Sequence, residues 1–88
     1  MKRCRVIVRG RVQGVFFRDT VGRRAREEGA AGWVRNRSDG SVEAVFEGDA
    51  DSIARLVELC RSGPPGAVVE GVEVFDEAPE GLVGFAIG

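Results

Sequence analysis

The chain contains no histidine and only two cysteines, and these shortages remove several familiar catalytic centres. Without an imidazole it has no histidine general base and forms no phosphohistidine. Neither cysteine begins the Cys-x5-Arg loop of a cysteine-dependent phosphatase, because Gly10 and Gly66 occupy the arginine position. A structural zinc site is disfavoured too, since its ligands are mostly Cys and His. We expect Cys4 and Cys60 to be reduced core thiols, with a disulfide or one reactive thiol as the alternative.

Long hydrophobic runs, a nucleotide P-loop and clustered carboxylates are also missing. No apolar segment approaches the ~20 residues that a membrane span needs, and the charged start of the chain predicts no signal peptide and a cytoplasmic location. Residues 10–14 lack the Gly-Lys-Ser/Thr ending of a P-loop. No carboxylates are spaced to hold Mg²⁺, and Asp49 after Gly48 is interpreted as a helix cap. We expect neither a metal nor a cofactor.

Lysine is nearly absent, and the two signs of charge are unevenly distributed along the chain. Residues 1–37 hold 11 of the 13 Lys and Arg, whereas residues 38–88 hold 11 of the 14 Asp and Glu. A basic first half indicates an anionic ligand, small or polymeric. The alternative is that the two halves interleave in space and their charges mix.

The hydrophobic periodicity predicts one domain, residues 1–88, with the order β-α-β-β-α-β and a short final strand. The predicted elements are a strand over 4–9, a helix over 17–28, strands over 31–37 and 41–47, a helix capped within 48–52, and strands over 68–75 and 83–87. This order is typical of an α+β, ferredoxin-like split β-α-β fold, an antiparallel sheet with two helices on one face.

The segment from Gly10 to Arg18 joins the first predicted strand to the first helix, and its composition favours an anion-binding turn. Glycines let main-chain N–H groups turn inward, and the helix N-terminus adds unpaired donors and partial positive charge. Arg18 puts a cation in the first helical turn, where it costs ~0.3–1 kcal/mol. That position is understandable if an anion binds there, because a planar guanidinium beside converging amides suits a phosphoryl group.

Such a site has no nucleophile of its own, so water must attack and needs an orienting group. Asn36 is the candidate, because it interrupts the second strand at a point where Asn has poor β propensity. Its side-chain carbonyl can accept a hydrogen bond from water while its amide donates elsewhere. The alternative is that Asn36 merely starts the hairpin turn.

Two segments resemble the signature motifs of the acylphosphatase family. They are Gly10-x-Val12-Gln13-Gly14-Val15-x-Phe17-Arg18 and Gly32-Trp33-Val34-Arg35-Asn36-x-x-x-Gly40-x-Val42 with Gly48. The resemblance implies a hydrolase that acts on acid anhydrides, cleaving acyl phosphates to a carboxylate and inorganic phosphate without a metal. It implies that Arg18 binds the phosphate and Asn36 positions the water. The phosphate-binding loop implied by the resemblance comprises Gly10, Arg11, Val12, Gln13, Gly14, Val15, Phe16 and Phe17.

The resemblance also implies a small acyl phosphate as partner, with inorganic phosphate or sulfate as a weak competitor. We expect a monomer with no nucleic-acid or membrane partner. One alternative is a nucleic-acid-binding ferredoxin-like module, but the third strand carries Glu43 and Glu47 and lacks a basic-aromatic series. Another is a phosphate-loop domain of a larger carbamoyl-transfer protein, which the short length disfavours.

Two aromatic residues and a set of arginines have a less specific interpretation. We expect Phe16 and Trp33 to pack in the core or on the sheet rather than contact an acyl group. We expect most of the following arginines to be solvated on the open sheet face, rather than to steer anions: Arg5, Arg9, Arg11, Arg35 and Arg37.

Overall fold

The computed structural model describes residues 1–88 and contains five strands and two helices. In chain order they are β1 (Lys2–Arg11), α1 (Phe17–Glu27), β2 (Ala31–Asn36), β3 (Val42–Gly48), α2 (Ala50–Ser62), β4 (Val68–Glu77) and β5 (Phe85–Ile87). The strands form one sheet in the order β4-β1-β3-β2-β5. This is the predicted ferredoxin-like order with a short fifth strand. Neither helix has the length and apolar character needed to cross a bilayer.

The fifth strand makes the sheet mixed. β1 to β4 pair antiparallel as predicted, whereas β5 lies parallel to β2 at the opposite edge from β4. The segment between β4 and β5 is held by the buried carboxylate of Glu47, which accepts hydrogen bonds from the N–H groups of Glu80, Gly81 and Leu82 at 2.8, 3.1 and 3.0 Å. This anchoring brings the end of the chain beside the end of β2.

Both helices cover the same face of the sheet, as predicted. The alternating residues Cys4, Val6 and Val8 of β1 point into this core. The helical contributions to the core include Phe17, Val21 and Ala25 of α1 and Ile53, Leu56 and Cys60 of α2. Both cysteines are free and buried, and burial raises the pKa of the Cys60 thiol to about 12. The prediction that both cysteines lie in the core is therefore confirmed.

The two helices begin in different ways. α2 starts at a side-chain cap, because Asp49 Oδ1 accepts from the N–H of Ser52 at 2.9 Å. α1 starts after Phe16 without any side-chain cap. The first-turn N–H groups of α1 therefore lack a side-chain acceptor.

The open face of the sheet carries paired charges. Glu43 accepts hydrogen bonds from Arg5 and from Arg35, while the buried Arg3 pairs with Glu47 at 2.8 Å and Glu77 at 2.9 Å. Each of these pairs except Arg35–Glu43 joins strands far apart in the sequence, and all four join the basic first part of the chain to its acidic second part. The charge asymmetry along the sequence is therefore largely mixed in space.

Candidate active site

The start of α1 and the ends of β2 and β5 surround a cleft of about 310 Å³. Its lining residues are Val12, Gly14, Phe16, Phe17, Arg18, Asp19, Asn36 and Ile87. Val12 and Phe17 belong to the hydrophobic core and form the buried base of the cleft. The folding of the chain thus places Arg18 and Asn36 on the wall of a single cavity.

The loop between β1 and α1 passes through left-handed backbone at two positions, Gly14 with φ 75° and Phe16 with φ 61°. A Cβ added at Gly14 would meet no protein atom within 4 Å. Glycine at this position therefore supplies a positive φ and open space toward the cleft, rather than room for a neighbouring segment. Left-handed residues within a turn are typical of concave groups of N–H donors that bind anions.

The main-chain N–H groups of residues 12–19 donate no hydrogen bond to another part of the protein. Those of Phe17, Arg18 and Asp19 lie in the first turn of α1, where an N–H has no intrahelical acceptor. The aligned peptide dipoles add roughly half a positive charge at this end of the helix. The loop and helix start therefore offer the free donors and the field that an anion requires.

The guanidinium of Arg18 is oriented by the end of the chain. One of its Nη atoms donates to the main-chain carbonyl of Gly88. Gly88 is itself fixed, because its N–H donates to the carbonyl of Val34 in β2 at 2.8 Å. No Asp or Glu side chain forms an ion pair with Arg18, and Asp19, the acidic residue of the cleft, pairs with Arg23 instead. The charge of Arg18 is therefore available to an anion in the cleft that it lines.

Asn36 is the last residue of β2, and its Oδ1 is buried without a hydrogen-bond partner. Leaving a buried acceptor unpaired costs about 1–3 kcal/mol. Such an atom is a natural place for a hydrogen bond from water or from a ligand. The hairpin turn that follows is closed by other groups, the Arg37 N–H to the Ser41 carbonyl at 2.8 Å among them. The side chain of Asn36 contributes nothing to the turn.

The side chain of Gln13 joins the loop to this hairpin. Its Nε2 donates to the carbonyl of Arg37 at 2.7 Å and to the carbonyl of Ser41 at 3.0 Å. Arg37 directly follows Asn36, so the contact couples the position of the loop to the position of Asn36. Sequence reasoning placed Gln13 in the loop but missed this contact, because nothing local indicates which carbonyls the amide reaches.

The turn itself is stabilised by Asp39. Its Oδ1 accepts from the N–H of Ser41 at 3.0 Å and from the hydroxyl of Ser41 at 2.5 Å, and its Oδ2 accepts from Arg9 at 3.2 Å. These hydrogen bonds, the Ser41 hydroxyl first, lower the pKa of the Asp39 carboxyl to about 2. The strand end that carries Asn36 is therefore held by a charged group that stays ionised at neutral pH.

The other predicted loop residues lie beside the cleft without lining it. Gly10 and Arg11 belong to β1, where they pair with Val69 and Val68 after a register shift. A Cβ added at Gly10 would lie 2.2 Å from the Val68 carbonyl oxygen, so this close approach requires glycine. Val15 packs against the core.

Two residues that line the cleft were not predicted as site residues, and a third was expected to be packed. Asp19 and Ile87 had no signal in the sequence, and Ile87 comes from a strand far along the chain. Phe16 corrects an expectation, because its side chain is 80% exposed rather than packed. Trp33 lies on the sheet face as expected, with the guanidinium of Arg35 4.6 Å from its ring centre.

Comparison with known proteins identifies the family, since residues 4–87 match the family model described as Acylphosphatase. The chain belongs to the acylphosphatase family. An acylphosphatase of Rubrobacter xylanophilus is 59% identical over 87 residues, which cover 98% of this chain and 79% of that protein. The crystal structure of acylphosphatase from Bacillus subtilis matches with a TM-score of 0.96 and 40% identity, over 100% of this chain and 99% of that chain.

The acylphosphatase fold also occurs inside a much larger protein. Full-length HypF, in its phosphate- and nucleotide-bound form, matches with a TM-score of 0.91 and 25% identity over 99% of this chain, but over only 12% of HypF. Identity is higher with the small proteins named acylphosphatase. Acylphosphatases are hydrolases that act on acid anhydrides. The enzyme class predicted from the sequence is therefore confirmed.

Proposed function

We propose that this protein hydrolyses acyl phosphates to a carboxylate and inorganic phosphate by direct attack of water on phosphorus. The observation that carries the proposal is the shared cleft, which Arg18 and Asn36 both line beside free N–H donors, together with the buried Oδ1 of Asn36, which has no hydrogen-bond partner. The guanidinium of Arg18 and the main-chain amides suit a phosphate, and the side-chain oxygen of Asn36 suits the water that attacks it.

The phosphate is held by main-chain N–H groups of the loop, with the helix dipole behind them, and by two-pronged hydrogen bonding from Arg18. Phosphoryl transfer is largely dissociative, so fixing the reactants and stabilising charge on the equatorial oxygens supply most of the catalysis. Because Arg18 is already positioned by the Gly88 carbonyl, little reorganisation is needed when the substrate binds.

A water molecule donates a hydrogen bond to Asn36 Oδ1. The oxygen of this water forms the new O–P bond while the bond between phosphorus and the acyl oxygen breaks. The leaving carboxylate has a pKa of about 4–5, so it departs without a general acid. A phosphate oxygen of the substrate takes the proton released by the water. Asp19 is the carboxylate that lines the cleft, but it is exposed and pairs with Arg23 at 3.2 Å, so it is not assigned as the base.

The remaining expectations follow from the same site and stay proposals. Inorganic phosphate and sulfate act as weak competitive ligands, and the enzyme works as a cytoplasmic monomer without a nucleic-acid partner. The open sheet face supports the last point, because Trp33 is flanked by arginines that are already paired with Glu43 and Glu77. Such a face offers no free stacking platform for bases.

The direct test is hydrolysis of benzoyl phosphate in ¹⁸O-labelled water, with Arg18→Ala, Asn36→Ala and, as control, Arg61→Ala on the exposed face of α2. We expect the label to enter inorganic phosphate and not benzoate, and the two site variants to lose activity while the control keeps it. Label in the carboxylate would show attack on the acyl carbon and would refute the proposed chemistry. Equal activity of all four proteins would refute the site.

A further inference from the structure

Phe16 combines two features that are each unfavourable for the free protein. It is the one residue other than glycine with a positive φ, 61°, and its side chain is 80% exposed. A bulky side chain in left-handed backbone is strained, and an exposed ring gains nothing from burial. Glycine would adopt this backbone without strain. The presence of an aromatic side chain at this position therefore has a reason other than the folding of the chain.

The position of the ring supplies such a reason. Phe16 lines the same cleft as Arg18 and Asn36. The base of the cleft is formed by Val12 and Phe17, which are 1% and 2% exposed, whereas Phe16 stands at the open mouth. The ring is therefore the apolar surface nearest to solvent on the wall of the cleft.

The geometry of the reaction determines which part of a substrate reaches this mouth. Attacking and leaving oxygens lie roughly in line through phosphorus. Water is held at Asn36, and the N–H groups and Arg18 surround the other phosphate oxygens. The acyl group consequently extends away from Asn36 and out of the cleft, toward the exposed side.

We propose that the ring of Phe16 is the platform on which the acyl group of the substrate packs, so that the protein prefers aromatic acyl phosphates to acetyl phosphate. This inference rests on the proposed function and names the substrate class of that site. Offset or edge-to-face packing of two rings explains the preference, and so does the apolar area that both lose to water.

The test compares kcat/KM for benzoyl phosphate and acetyl phosphate in the wild type, Phe16→Ala and Phe16→Leu. Phe75→Ala is the matched control, because Phe75 is also an exposed phenylalanine of this chain but lies on the sheet face away from the cleft. We expect the ratio of benzoyl to acetyl kcat/KM to fall about three- to tenfold in Phe16→Ala, mainly through KM, and less in Phe16→Leu. The control should keep the wild-type ratio.

A ratio in Phe16→Ala that equals the wild-type ratio would overturn the inference while leaving the proposed function intact. Failure of the wild type to hydrolyse either substrate would instead overturn the proposed function. The two failures are therefore distinguishable within one set of assays.

A second measurement separates recognition from a structural role. Phe16→Gly removes the ring and relieves the left-handed strain, so we expect its urea midpoint to rise while its benzoyl-to-acetyl ratio falls. A side chain that served only the fold would lower the midpoint when removed. A lowered midpoint in Phe16→Gly would therefore overturn the assignment of the ring to the acyl group.

Discussion

The side-chain amide of Gln13 donates to the main-chain carbonyl of Arg37 at 2.7 Å, and this contact connects the two halves of the proposed site. One half is the loop that holds the phosphate, and the other is the strand end that carries Asn36. The relative position of phosphate and water thus depends on the side chain of Gln13, which is assigned to neither of them in the proposed mechanism.

Replacing Gln13 should therefore impair turnover more than phosphate binding. In Gln13→Leu the two carbonyls lose their donor, and a displacement near 1 Å can cost roughly 100-fold in rate. We expect kcat for benzoyl phosphate to fall by about tenfold or more, while the inhibition constant of inorganic phosphate changes much less. An unchanged kcat would show that the loop and hairpin hold their positions without this contact.

Arg18→Lys should lose most of the activity although the charge is kept. An ammonium is a point cation and cannot form the two-pronged contact that a planar guanidinium makes with a phosphoryl group. We expect kcat/KM to fall about 100-fold or more, with Arg61→Lys as the matched control. If Arg18→Lys remained nearly as active as the wild type, charge alone would account for the role of Arg18.

Asn36→Ala should abolish turnover and spare phosphate binding, because the side chain is assigned to water and not to phosphate. We expect kcat to fall by at least about 100-fold, with the phosphate inhibition constant close to that of the wild type. Ser38→Ala, in the same hairpin, is the control for damage to the turn. Weakened phosphate binding with normal turnover would mean that Asn36 contacts the phosphate instead.

Asp19→Asn should leave kcat within about threefold of the wild type, since a true general base contributes roughly 100-fold or more. The measurement is the pH–rate profile of both proteins with benzoyl phosphate. The acid limb of the profile should keep its shape, because the substrate's own phosphate is proposed to take the proton. Disappearance of that limb in Asp19→Asn would identify Asp19 as the base.

Acid should destabilise the protein in part through Glu47. Hydrogen bonds from the Glu80 N–H first, and then from Arg3 and the N–H groups of Leu82 and Gly81, lower the pKa of the Glu47 carboxyl from 4.5 to about 2. A depressed folded-state pKa gives stability that is present above the unfolded value and is lost as the pH falls through the folded value. We expect the urea midpoint to fall between about pH 4.5 and pH 2.

Glu47→Gln is the variant that checks this assignment. The glutamine amide would place an NH₂ group beside the N–H groups that donate to Glu47. The segment that leads to β5 should therefore lose its anchor, and the urea midpoint at neutral pH should drop. The variant should also show a weaker pH dependence than the wild type over the same range. A pH dependence identical to that of the wild type would assign the acid sensitivity to other carboxylates.

Much of the fold was predictable because its signals are local. The spacing of Phe17, Val21 and Ala25 predicts a helix with one buried side, and the structure has α1 over Phe17–Glu27. Asp49 was predicted to cap the second helix, and it does so through the Ser52 N–H. Gly29 directly follows the C-cap of α1 in left-handed backbone, with φ 74°, which is the usual place for a glycine after a helix.

Other features of the site could not be predicted because they depend on residues far apart in the chain. Gly88 orients Arg18 only because β5 crosses to the far edge of the sheet and pairs with β2. The exposure of Phe16 depends on how the loop is bent between β1 and α1. No local pattern reports either fact.

By itself, the sequence determined which residues are proposed to carry the chemistry and which segments become helices and strands, because residue type and periodicity act over a few positions. The tertiary structure alone decided that Arg18 and Asn36 line one cleft, that Asn36 keeps an unpartnered oxygen, and that the basic and acidic parts of the chain neutralise each other. The physical reason is that strand register and packing set these distances, and both depend on contacts between segments that the chain order keeps apart.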